Sequence, residues 1–219
     1  MSVFQLQEWW GVKLSEEEEF DHGGMVIGNI DNAEPPSEKI AVGSLQGILR
    51  IYSPSHPQFK VEDLILEEVL NAPILQLLLG KFIPGSNLLG LAVLHPKRLV
   101  VYELIPQSNK DGRVNFYSLR KCYSHDLGID GKHFTAYNMN SGCFGDVKDR
   151  EMIIVQSLDG KIQIFEQSAT AITRQITNCL IPGPILYIPK IDSFVTVNHA
   201  CEVECYRYQV LVSLQNEIK

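Results

Sequence analysis

Cys201 and Cys205, with His199 just ahead of them, are the side chains best suited to hold a metal. In an extended chain residues four apart share a face, so both thiols would point the same way. Structural zinc needs four closely arranged ligands, however, and no second ligand pair follows in the sequence. Two cysteines within or at the edge of a strand are the stronger reading. His125-Asp126 with Asp130 and His133 form a second polar group, read as a solvated loop. The acidic run Glu16–Glu19 has the charge for calcium but neither the alternating spacing nor the central glycine of a calcium loop. Gly142-Cys-Phe-Gly145 is too short to cradle a phosphate, and no Gly-Lys-Ser/Thr follows it. Ser44 and Ser157 are the hydroxyls to weigh as nucleophiles. Neither sits in a Gly-x-Ser-x-Gly elbow, and their recurrence at equivalent places in a repeat assigns them to turns. No catalytic, cofactor-binding or metal-binding residue is assigned, and no small-molecule substrate is expected.

Such residues have to be positioned by a fold, and composition limits which one. The 219 residues are 45% hydrophobic and 21% charged, enough apolar side chain for a folded core. The net charge is −7, and Lys97-Arg98 and Arg120-Lys121 are the only adjacent basic pairs. Nothing here neutralises a phosphate backbone or docks on an anionic bilayer, so neither nucleic acid nor direct membrane binding is expected. The start of the chain has no basic region followed by an apolar stretch, and no apolar run approaches the ~20 residues of a membrane span. Five cysteines at 122, 143, 179, 201 and 205, without clustered pairs, suit a reducing compartment such as the cytoplasm.

A repeat organises the chain. Lys39–Tyr52 aligns without a gap with Met152–Phe165, matching at Val42/Val155, Ser44/Ser157, Leu45/Leu158, Gly47/Gly160, Ile51/Ile164 and Tyr52/Phe165. Each copy is an apolar run, a turn with Gln46-Gly47 or Asp159-Gly160, then an alternating run closed by an aromatic, which is the pattern of a β-hairpin. Looser copies occupy Leu91–Tyr102 and Phe194–Tyr206, each read with a turn one residue shorter. The closing aromatics Tyr52, Tyr102, Phe165 and Tyr206 are spaced 50, 63 and 41 residues apart, close to the ~40–50 residues of a propeller blade. The longer interval places extra residues in loops at Asn109–Gly112 and Leu127–Lys132.

The expected architecture is all-β: about four blades of a β-propeller, as an incomplete arc of a larger, seven-bladed-type ring. The blades are read at about 24–70, 74–124, 136–180 and 184–214, the last incomplete. Their strands are Gly24–Asn29, the Lys39–Tyr52 hairpin and Asp63–Val69; then Ile74–Phe82, Leu89–Leu104 and Phe116–Tyr123; then Ala136–Phe144, Met152–Glu166 and Ile172–Asn178; then Pro184–Ile188 and Ser193–Val210. A helix over Leu64–Leu79 is the rival for that stretch, and Pro73 in its interior argues against it at about 3 kcal/mol. Residues 1–14 hold Trp9-Trp10, of which only one can be fully buried in a strand. They are read either as a ring-closing strand of the last blade or as a packed N-terminal strand without further role.

Further residues identify a likeness. Glu8-Trp9-Trp10, Glu18-Glu19-Phe20-Asp21, Asn29-Ile-Asp-Asn32, Leu49-Arg-Ile-x-Ser-Pro54, Ser141-Gly-Cys-Phe-Gly145, Gln156-Ser-Leu-Asp-Gly160, Leu180-Ile-Pro-Gly-Pro184 and Tyr206-x-Tyr-Gln-Val-Leu211 occur in this order. Together they resemble the N-terminal β-propeller family of Bardet-Biedl syndrome protein nine, also called parathyroid hormone-responsive B1 protein. The likeness spans nearly the whole chain and is weakest around 106–118 and 126–134. It implies a non-enzymatic scaffold subunit of the BBSome, a coat-like adaptor that carries membrane proteins to and from the primary cilium. The implied partners are other BBSome subunits, with ciliary membrane-protein cargo and the membrane itself reached only through the complex. The implied locations are the cytoplasm, cilium, ciliary membrane, basal body and centriolar satellites. Family members continue into further blades and domains, so the chain is expected to be a fragment or a short form.

Two other readings compete. A generic WD40-like interaction module in another complex would share the fold. A propeller hydrolase or oxidoreductase would need His, Asp or Glu converging at one end of successive inner strands. The inner strands offer Met25-Val-Ile, Ile74-Leu-Gln, Tyr137-Asn-Met and Ile185-Leu-Tyr, which are poor acid–base material.

Overall fold

The computed structural model describes residues 8–108, 114–127, 135–175, 183–198 and 200–216. Blade one is β1 (Met25–Gly28), β2 (Lys39–Gly43), β3 (Ile48–Tyr52) and β4 (Leu64–Val69). Blade two is β5 (Gln76–Gly80), β6 (Gly90–His95), β7 (Arg98–Ser108) and β8 (Val114–Asp126). Blade three is β9 (Ala136–Gly142), β10 (Met152–Ser157), β11 (Lys161–Glu166) and β12 (Ala169–Gln175). Blade four has β13 (Ile185–Ile188), β14 (Ser193–Val197) and β15 (Val203–Arg207), followed by helix α1 (Tyr208–Asn216). Within each sheet the strands are antiparallel and neighbours in sequence are neighbours in space. The first strands line up as an inner layer: β1 meets β5, β5 meets β9 and β9 meets β13.

The repeat is structural. Its closing aromatics have equivalent partners: Tyr52 opposes Ile40, Tyr102 Leu91, Phe165 Ile153 and Tyr206 Phe194. The turn at Gln46-Gly47 needs a left-handed residue, and Gly47 supplies φ +84 where a Cβ would meet the Ala72 carbonyl. Gly160 repeats this with φ +78. The fourth hairpin, expected to turn one residue sooner, has the same separation between paired aromatic positions as the first and third; only the second is shorter.

The core lies in the seams between blades. Ile30, Leu49, Ile51, Ile74, Leu91 and Leu104 fill the first seam, Phe82, Leu94, Leu99, Met139, Val155 and Phe165 the second, and Phe144, Ile154, Ile164, Ile185 and Phe194 the third. Burying each such side chain is worth about 1.5–3 kcal/mol. The second strands β6 and β10, flanked by blades on both sides, are buried at every position, which explains the apolar runs Leu91–Leu94 and Met152–Val155.

Three sequence expectations change. The extra residues of blade two are not all loop: Ile105–Ser108 and Val114–Asn115 lengthen the β7–β8 hairpin beyond the strands read there, and β8 runs on through Ser124–Asp126. Residues 208–210, read as strand, begin α1, whose Tyr208, Leu211 and Val212 have helical spacing and pack in the third seam. The segment 64–79 keeps its expected strands, β4 and β5, with no helix between them. Of the segment read as ring-closing, residues 1–7 lie outside the described residues, and 8–14 form no strand. They cross blade one instead.

Candidate interaction surfaces

Polar side chains tie the seams together by reaching from one blade to the backbone of the next. In the first seam Asn32 accepts from the Leu89 N–H at 2.7 Å and donates to the Leu89 carbonyl at 3.1 Å. In the second, Gln76 accepts from the Met139 N–H at 2.7 Å and donates to the Met139 carbonyl at 2.9 Å. In the third, Asn140 donates to the Ile185 carbonyl at 2.6 Å and Asn138 to that of Gly183. Gln76 and Asn140 replace part of a missing ladder between inner strands and fix the height of one against the next, while Asn32 ties the β1–β2 connection to the residue before β6. The first seam also holds a buried ion pair: Lys39 Nζ lies 2.7 Å from Asp31, their side chains 3% and 5% exposed. Tyr117 of blade two donates to the same carboxylate at 3.1 Å. Burial and the adjacent Asp31 charge push the Tyr117 phenol up to about 12. None of these residues was assigned a role from the sequence. The readable signal was a lone amide in an apolar strand at Gln76, and Asn138 and Asn140 two apart on one face.

The ends of the arc lack such cover. Val26 and Gly28 of β1 face blade two, so Met25 and Ile27 face away, at 59% and 53% exposed. Ile185 and Tyr187 of β13 face blade three, leaving Leu186 and Ile188 outward at 61% and 38%. Among the described residues, β13 and β1 do not meet as the other inner strands do. Two apolar sheet faces are thus presented at opposite ends of one molecule.

The outer half of blade one's end face is covered by the chain's own residues 8–20. Trp10 packs edge-on against Tyr52 and Phe59 at 5.6 and 6.1 Å and donates from Nε1 to Asp63 at 3.1 Å. The Lys60 N–H, with Trp10 second, holds the buried Asp63 carboxyl below the usual carboxylate range. Further along, Glu18 lies 2.7 Å from Arg50, which also pairs with Glu67 at 2.6 Å. The hydrogen bond from Arg50 lowers the Glu18 carboxyl. Glu16 meets Lys13, and the Glu19 carbonyl accepts from the Leu45 N–H. The acidic run is therefore partly a clasp.

The other sequence candidates disperse. Ser44 Oγ accepts from the Ile48 N–H at 3.2 Å and Ser157 Oγ from that of Lys161 at 2.9 Å, equivalent bonds that close equivalent turns. His125 and Asp126, expected in a loop, end strand β8 opposite Leu99 and Arg98. Asp126 pairs with Arg98, and His125 stacks on Phe165 and bonds the Gln167 carbonyl. Asp130, His133, His199 and Cys179 lie outside the described residues. Cys201 is in the β14–β15 turn and Cys205 in β15, both exposed. Among the described residues no three His, Cys, Asp or Glu side chains gather as a metal site would require. Gly142 packs against the Tyr187 ring and Gly145 adopts φ +72, so both glycines serve the third seam. No helix among the described residues is long and apolar enough to cross a membrane.

Four antiparallel sheets stacked about common inner strands, with polar ties at each seam, define a β-propeller arrangement. Its fold is similar to the crystal structure of BBS1N in complex with ARL6DN, with TM-score 0.59, 11% identity, and coverage of 87% of this chain and 51% of that one. It is also similar to Sqt1 of Saccharomyces cerevisiae, with TM-score 0.56, 10% identity, and coverage of 79% and 46%. The sequence is 44% identical over 216 residues to protein PTHB1 of Xenopus laevis and 42% over 215 to that of Mus musculus. Each comparison covers 96% of this chain, but 25% and 24% of the relative. A family model described as PTHB1 N-terminal matches residues 1–219. The chain belongs to the PTHB1 N-terminal family, and it spans about a quarter of the length of the curated relatives it matches.

Proposed function

We propose that the chain is a non-enzymatic protein-interaction propeller and acts as a scaffold segment of the BBSome in trafficking membrane proteins to and from the cilium. Membership of the PTHB1 N-terminal family carries this reading. The apolar end faces support an assembly role, since exposed apolar patches with polar rims mark protein interfaces. The BBS1 fragment of similar fold is in complex with ARL6 in its crystal structure. By analogy the partners here are other BBSome subunits, with cargo and membrane engaged through the complex. The chain then resides in the cytoplasm, at the basal body and in the cilium. Affinity purification of the full-length protein carrying this segment from ciliated cells tests the proposal. Recovery of other BBSome subunits is expected, and their absence overturns it.

A further inference from the structure

We propose that the cleft between residues 8–11 and 57–59 on blade one binds an extended, arginine-bearing segment of a protein partner. The cleft has a volume of about 340 Å³ and is lined by Glu8, Trp9, Trp10, Pro57 and Phe59 among others. Its walls are rigid where rigidity matters. Trp10 is held by its bond to Asp63, and its ring belongs to a trio with Tyr52 and Phe59 whose centroids lie 5.6–6.4 Å apart. Trp9 beside it is 58% exposed and Phe59 36%. A tryptophan this open is unusual in a folded protein and typical of an interface.

The charge of the cleft selects the occupant. Glu8 is its only charged lining residue and forms no ion pair among the described residues. A carboxylate beside aromatic faces, in a chain of net charge −7, attracts a cation and repels an acid. A guanidinium meets both demands, because it stacks on an indole and pairs with a carboxylate at once. An aromatic-lined cleft also suits an extended, proline-flanked backbone, as in polyproline recognition.

Both tryptophans of the chain are in this cleft, so its intrinsic fluorescence reads the site directly. The probe is the peptide acetyl-Pro-Pro-Arg-Pro-Pro-amide, titrated into the full chain beside the same peptide with neutral citrulline for arginine. A saturable change in tryptophan emission is expected, with the citrulline peptide about fivefold weaker. Glu8→Gln should weaken binding about two- to fivefold and Trp9→Ala about fivefold, the latter read through Trp10. Both side chains are exposed, so thermal melting of the variants should match the parent. Equal affinity for the two peptides, parental affinity in either variant, or no saturable change overturns the proposal. The inference rests on reading the chain as an interaction propeller, but its failure would leave intact the BBSome association tested by affinity purification.

Discussion

At the scale of single residues, the Asp31–Lys39 pair is the most consequential polar contact. Both charges have left water, so each depends on the other. Lys39→Met leaves the buried Asp31 carboxylate with the Tyr117 hydroxyl and the Ala33 N–H but no opposite charge, and should cost about 3–5 kcal/mol, measured as a lower urea midpoint. Adding Asp31→Leu should recover part of that loss, because no charge is then stranded. The tyrosines make a second prediction. Burial raises the phenols of Tyr102, Tyr117, Tyr123, Tyr187 and Tyr206. An unfolded tyrosine ionises near pH 10, before its folded counterpart. Stability is therefore fully present below about pH 10 and falls as pH rises beyond it, with Tyr117 contributing up to about 12. Alkaline titration followed by near-ultraviolet absorbance should show tyrosine ionisation coinciding with unfolding, and Tyr117→Phe should reduce the slope. Ser44 and Ser157 were legible from the repeat alone, since equivalent positions carry equivalent turn bonds. Asp31 and Lys39 were not, because nothing local pairs residues that meet only when the seam closes.

At the scale of elements, the seams depend on side chains that mimic a strand. Gln76→Ala removes both bonds to Met139 and leaves its backbone groups to find other partners in the second seam. The expected cost is about 1–3 kcal/mol in chemical denaturation. Strands and hairpins were readable because alternation, turn glycines and closing aromatics are local signals. The extension of the β7–β8 hairpin was not, since Pro106-Gln-Ser108 and Ser124-His-Asp126 are polar or turn-prone in sequence and are held as strand only by pairing with the opposite arm of the hairpin. Helix α1 was hidden for a related reason. The stretch from Tyr208 carries β-prone residues, and helical spacing at 208, 211 and 212 becomes decisive only against the third seam. The N-terminal segment was read by its tryptophans, whose placement on Tyr52 and Phe59 depends on side chains more than 40 residues away in sequence.

At the scale of the whole molecule, the blade order makes an arc with two unlike apolar ends. Blade one is half covered by residues 8–20, while blade four shows Leu186, Ile188 and Val203 directly. Such faces are conditional on a partner, because sheet faces of this kind pack or associate when left open. Charge at exposed positions changes association far more than folding, so Ile27→Glu and Leu186→Glu should each alter stability by no more than about 0.5 kcal/mol. Sedimentation velocity across a concentration series, comparing the parent chain with the Ile27→Glu/Leu186→Glu variant, distinguishes an open arc with associating ends from a closed ring. The parent is expected to self-associate and the charged variant to sediment as a monomer with unchanged unfolding. A parent chain that remains a monodisperse, cooperatively unfolding monomer at every concentration would contradict the open arc and favour a closed ring of four blades.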